Sequence, residues 1–269
     1  MKTALLLTTI LISAACVPSP KVGETTSGRM NKNSPIYWAT ANTLELKISE
    51  DFSSAEKSNI SAMSSAWSAS VGNKRIFFSH TNTTVEKSSA SLNLDSLGDD
   101  DTFGIYRITH WPKSLPSSAL AVTQLFLRPY NVGESDEYAV IEHADILINE
   151  NLYNFRTTDT HVSGTFDLRT VVLHEMGHFL GLQHKTGDTV MIDAIGENSE
   201  KRAPTNIDIA DIADKYNISL GSGGAHAIMA KNTQTYQPRT EGPKVKMIIE
   251  LRADGKCVHS LNGIETDRH

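Results

Sequence analysis

HEMGHFLGLQH, His174 to His184, gathers three histidines and a glutamate into eleven positions. On an α-helix, residues i and i+4 share a face one turn apart, so His174 and His178 point the same way and can hold one Zn2+ through both imidazoles. Gly181 offers a route to a third ligand, because glycine readily takes the left-handed conformation that ends a helix and redirects the chain. His184, three residues further on, can then swing back to the ion. Three neutral protein ligands leave one position for water, the arrangement of a catalytic zinc rather than a closed structural one. Glu175 stands beside such a metal, placed to act as general base. Zinc lowers the pKa of a bound water from about 16 toward roughly 7, and a carboxylate can accept its proton and pass it to the departing amine. The five fixed positions of H-E-x-x-H-x-x-G-x-x-H arise by chance about once in ten thousand such chains, which makes metal-free core or surface histidines the weaker explanation.

Working outward, Asp167 offers an N-cap for LRTVVLHEMGHFLGL, a helix whose continuous apolar content predicts burial on most sides. Strands are expected at 36–48, 74–79, 103–109, 119–128 and 141–149, giving a sheet of about five strands. Ser53 or Ser54 can cap a helix in which Ile60, Met63 and Trp67 recur at helical spacing and form a core stripe. The polar stretch 80–102 reads as an exposed connection. Thr205 or Asn206 caps a last amphipathic helix, GSGG at 221–224 marks a linker, and VKMIIELRADGKCVHS predicts a hairpin turning at Asp254-Gly255. The fold class is therefore α+β, a sheet of about five strands with the histidine helix among its helices.

The chain has 269 residues, enough for one sizeable core, with a formal charge of −6 and a pI near 5.9 from well-mixed acids and bases. No basic stripe points to nucleic acid, and that partner class is set aside. Residues 1–15 run from charged through hydrophobic to small, the order of a secretory signal, and the apolar run is too short for a permanent span. The small residues before Cys16 resemble a bacterial lipobox, in which the cysteine is acylated; an ordinary cleaved signal followed by secretion is the alternative. Residues 16–34 then read as the lipidated cysteine and a flexible tether, 35–218 as the main domain, which the resemblance described below implies is catalytic, and 219–269 as a C-terminal extension. With only Cys16 and Cys257 in the chain, a lipidated Cys16 leaves Cys257 no partner, so the exported domain stands without a disulfide.

The histidine motif resembles that of the metzincin zinc peptidases, and Met191 in TVM lies a short loop after His184, where that family places a methionine turn beneath the zinc. ALAVTQLFL, IEHADILIN and DLRTVVLHE together are similar to the approach of the matrixins, and of their bacterial relatives in particular, to the zinc helix. The resemblance covers roughly 35–218 and is specific from about 119 to 191. It implies a zincin-like fold, with a mixed twisted sheet packed on the zinc helix and a small lower part ending in the final helix, one catalytic Zn2+ and a protein or peptide substrate. It also implies that the strand at 119–128 is the cleft edge, with Leu120, Ala121, Val122 and Thr123 binding an extended peptide by strand addition. The wall of the pocket after the scissile bond is expected from 192–205. Three features depart from the pattern: Lys185 follows the third histidine where matrixins usually carry Ser, Ile192 rather than a tyrosine follows Met191, and nothing before residue 35 resembles a cysteine-containing propeptide.

Other residues carry less. His143 and His161 are single histidines without a spaced partner and read as structural or surface groups. Asp99, Asp100 and Asp101 are candidates for the Ca2+ that many matrixins hold, with a solvated loop as the plainer reading, and Asp145 is undecided. Cys257 has no companion ligands in its neighbourhood of sequence. The expectation is thus an extracytoplasmic, monomeric zinc endopeptidase anchored to a membrane through Cys16, at the outer membrane or cell surface. The competing class is a zinc-containing peptide-binding or adhesion module that has lost turnover; Glu175 argues against it.

Overall fold

A computed structural model describes residues 30–31, 33–40, 42–83, 93–193, 195–220, 238–254 and 257–268. In chain order the elements are β1 (Ile36–Tyr37), β2 (Leu44–Ser49), α1 (Ser54–Ser70), β3 (Phe78–Thr83), a 3-10 turn (Leu94–Asp99), β4 (Gly104–Ile108), β5 (Ala119–Tyr130) and β6 (Tyr138–Asn149). They continue with β7 (Asn154–Arg156), β8 (Thr165–Asp167), α2 (Leu168–Phe179), α3 (Asn206–Lys215), β9 (Val245–Arg252), β10 (Cys257–Leu261) and β11 (Ile264–Arg268). The class is α+β, built on one nine-stranded mixed sheet ordered β11-β10-β9-β5-β6-β4-β2-β3, with β1 pairing parallel to β6.

β5 and β6 are the longest strands and lie in the middle, so they are buried almost throughout and read as near-continuous apolar runs. Their alternate residues feed two apolar layers. Ala121, Leu125, Ala144, Ile146 and Ile148 join α1 and α2 in the main core. Val122, Leu147 and Ile248 join Leu94, Leu97 and Tyr106 on the opposite face, beneath the 3-10 turn. α1 begins with a reciprocal cap between Ser53 and Glu56 and buries Ile60, Met63 and Trp67, the stripe expected from its spacing.

Three expectations are corrected. The sheet has nine strands rather than about five, in part because strands of the C-terminal extension join it: β9 pairs antiparallel with β5, and β10 and β11 continue the sheet outward. It follows that the strand at 119–128, with Leu120 to Thr123, is not a free edge, since β6 and β9 take its two sides. The strand expected at 74–79 lies at Phe78–Thr83 instead, parallel to β2. Apolar content marks Phe77 and Phe78, but an outermost strand runs on through polar residues that such a reading assigns to a loop. The predicted 80–102 connection likewise contains the buried Leu94 and Leu97. Of the expected hairpin turn at Asp254-Gly255, Gly255 lies outside the described residues; the strands on either side pair as foreseen.

Candidate metal centre

α2 is held at both ends. At its start Asp167 accepts from the Thr170 backbone N–H at 3.1 Å and from the Thr170 hydroxyl at 2.7 Å, while Arg202 donates to both carboxylate oxygens at 2.9 Å. Burial would raise the pKa of Asp167, but these donors outweigh it and hold the carboxyl below its ordinary value. Further along the helix, Leu173 O accepts from Trp67 Nε1 at 3.1 Å. At the C-terminal end, carbonyls without helical partners are taken up by side chains: Phe179 O accepts from Trp38 Nε1 and Leu180 O from the Tyr216 hydroxyl, both at 2.8 Å.

Gly181 ends the helix with φ +83°, and a Cβ there would lie 2.3 Å from the backbone oxygen of Ile36, so both the dihedral and the space require glycine. The reversal lets Leu182 N–H bond Gly177 O at 2.9 Å and brings His184 back over α2. Gly177, between the two helical histidines, is needed for another reason: a Cβ would sit 2.2 Å from Met191 Sδ. Met191, 1% exposed, therefore packs directly against the helix at the level of the histidines.

The three rings meet. His178 Nε2 lies 2.9 Å from His174 Nε2 and 3.0 Å from His184 Nε2, with His174 and His178 fully buried. His174 Nδ1 faces Val190 O at 2.8 Å and His178 Nδ1 faces Leu182 O at 2.9 Å. A carbonyl can only accept, so both Nδ1 atoms carry the proton and both Nε2 atoms present lone pairs. Burial lowers the His174 pKa to about 4 and, helped by the neighbouring histidines, takes His178 well below its ordinary value, so neither ring carries a second proton at neutral pH. Facing lone pairs at hydrogen-bond distance with no proton between them repel, and a cation removes the repulsion. The donor set fits Zn2+, which takes neutral imidazole nitrogens at about 2.0–2.1 Å.

Glu175 leaves α2 next to His174 and is fully buried. Its Oε2 accepts from the Thr123 hydroxyl at 2.5 Å, whereas Oε1 is buried with no hydrogen-bond partner. Burial raises its pKa to about 8, opposed only by the Thr123 hydrogen bond; a cation held by the histidines would favour the carboxylate. The matrixin family model matches residues 134–217. The matched segment takes in β6, α2, all three histidines, Met191 and α3, and leaves out β5 and the strands from β9 onward. This matrixin likeness supports a peptidase, with zinc as the metal implied. No curated protein matches the chain.

Within the matrixin-like segment, Asp208 on α3 has a role that sequence reading missed. It accepts from the Thr189 hydroxyl and from Val190 N–H at 3.0 Å, fixing the carbonyl that orients His174. Its sequence signal, an acid three residues into a helix, says only that it can cap. Thr123, expected to line the cleft edge through its backbone, instead turns its side chain to Glu175. Cys257 and His259 are the other surprise. His259 Nε2 lies 3.1 Å from His184 Nδ1, and one ligand atom from each of His184, Cys257 and His259 lie within 4.8 Å of one another.

His143 donates or accepts at 2.9 Å with the buried Asp145 and packs edge-on against Phe103 and Phe126, in line with a structural role. Burial raises the Asp145 pKa to about 6 despite His143 and the Gly104 N–H. His161 is exposed. Asp100 accepts from Thr102 N–H at 3.0 Å, and among the described residues neither Asp100 nor Asp101 belongs to a cluster of convergent ligating groups. Cys16 lies outside the described residues.

Proposed function

We propose that the protein is a zinc-dependent endopeptidase that hydrolyses peptide bonds in proteins or peptides, on a zincin-like catalytic domain. The observation that carries this reading is the convergence of the Nε2 atoms of His174, His178 and His184, those of His174 and His178 unprotonated, beside a buried glutamate with one free oxygen. His174, His178 and His184 would hold Zn2+, which supplies Lewis acidity toward a peptide carbonyl and makes water acidic enough to react near neutral pH. Glu175 Oε1 receives a proton from the attacking water and delivers it to the leaving amine, while the Thr123 hydroxyl fixes the other oxygen. Met191 is the apolar floor beneath the histidines. The matrixin match over 134–217 supports the same activity.

One observation favours the silent binding module: β9 lies along β5, where an extended substrate would add. Glu175→Gln separates the two. The variant should bind one Zn2+ per chain like the wild type and lose hydrolysis of a denatured generic protein by about 100-fold or more. Equal, chelator-insensitive cleavage by both proteins would exclude the mechanism. We further propose export and anchoring through an acylated Cys16, tested by lipid labelling of the wild type against Cys16→Ser.

A further inference from the structure

Ala121, Thr123, Leu125 and Leu127 of β5 face Leu251, Ile249, Met247 and Val245 across an antiparallel ladder. An extended peptide adding to β5 would use the same backbone donors and acceptors. Val245, Met247, Ile249 and Leu251 are all buried, and they belong to the apolar cluster that contains Val172, Leu173 and Met176 of α2. They stand where the side chains of an extended peptide paired with β5 would stand, on the side of the sheet that carries the main core. Ile249 stands opposite Thr123, whose hydroxyl holds Glu175, so the strand crosses the sheet at the level of the general base. From the return strand, β10 brings His259 against the ring of His184, with centroids 4.9 Å apart, and Cys257 beside it.

The strand is also tethered at its entry. Arg239 pairs with Asp136 at 2.7 Å, Thr240 O accepts from Asn131 N–H at 3.0 Å, and Gly242 N–H donates to Pro129 O at 2.8 Å. A strand that left β5 beyond Gly242 would thus stay beside the cleft at high local concentration and could return. β9, β10 and β11 all lie outside the segment that resembles a matrixin.

We propose that β9 and β10 are an intramolecular stand-in for substrate: β9 occupies the cleft edge, β10 closes the metal centre from the His184 side, and a substrate must displace them. The substrate class follows from the occupant, an extended peptide with aliphatic side chains at alternate positions facing α2. The proposal rests on the peptidase reading for its substrate, but its test reads binding rather than turnover.

The probe is a short peptide hydroxamate with Leu and Ile at alternate positions, added to the zinc-loaded full-length protein, with an isomer carrying Glu at those positions as control. Binding should accelerate amide exchange across β9 and β10 at least tenfold and leave α2 and β6 unchanged. Ile249→Ala, which loosens β9, should bind the aliphatic probe at least tenfold more tightly than the wild type, and the acidic probe should bind at least tenfold more weakly than the aliphatic one. Leu251→Ala repeats the measurement should Ile249→Ala fail to keep wild-type exchange in α2 and β6. Binding to the wild type with β9 and β10 still protected, equal affinity in variants and wild type, or no binding to any of them overturns the proposal. Tighter probe binding by the variants, with no cleavage of a denatured generic protein by any of the zinc-loaded proteins in a separate assay, leaves the stand-in standing and rejects the peptidase reading instead.

Discussion

Gly181→Ala adds one methyl group and should disturb the metal centre through the backbone alone. Holding an alanine at φ +83° costs about 1–2 kcal/mol. The new Cβ would also lie 2.3 Å from Ile36 O, where ordinary contact begins near 3.4 Å, so the two segments must separate by about 1 Å. Ile36 cannot retreat freely, because β1 is paired with β6 and its carbonyl accepts from Lys215 Nζ at 2.7 Å. Overpacking of this kind adds about 1–3 kcal/mol, for a total of about 2–5 kcal/mol. Gly187→Ala is the control: its φ is +102°, but its Cβ would meet only the movable Ile207 Cδ1 at 3.3 Å. That variant should lose about 1–2 kcal/mol. Urea unfolding of the metal-free proteins gives both values, and competition with a chromophoric chelator gives the zinc affinity. Because His184 lies three residues past Gly181, on the far side of the reversal, zinc affinity should fall about 10–100-fold in Gly181→Ala, the loss typical of displaced supporting groups. A Gly181→Ala protein no less stable than Gly187→Ala, with wild-type zinc affinity, would refute the reasoning.

Asp208→Ala should weaken zinc binding about 10–100-fold without touching a ligand, since it removes the acceptor of the Val190 N–H and so loosens the residue whose carbonyl orients His174; chelator competition reads this directly. Thr123→Val keeps shape but removes the hydroxyl from Glu175, so kcat should fall while zinc stoichiometry stays unchanged, and a wild-type kcat would remove Thr123 from the site. Asp145 has a folded pKa raised from 3.8 to about 6, so the folded state holds the extra proton. Its contribution to stability is complete below pH 4 and is lost as pH rises through 6, by up to about 3 kcal/mol. Asp145→Asn should therefore be more stable than the wild type at pH 8 and show a flatter profile between pH 4 and 6 in denaturant titrations.

The strongly local features were legible. The spacing of His174 and His178 demands one helix face whatever surrounds it, Ser53 and Asp167 cap the helices as their side chains dictate, and Gly181 turns where the chain must turn. The partners of those groups were not. Nothing near Thr123 announces Glu175, and nothing near Asp208 announces His174, because such contacts join residues far apart in the chain through single hydrogen bonds that leave no periodicity.

The sequence by itself determined the chemistry of the centre: three imidazoles on a helix and its reversal, with a carboxylate in the next position. Only the tertiary structure decided what lies against it. β9 reads locally as one more aliphatic strand, and backbone ladders accept almost any such strand, so its pairing with β5 and the arrival of His259 at His184 emerge only when distant segments share one sheet.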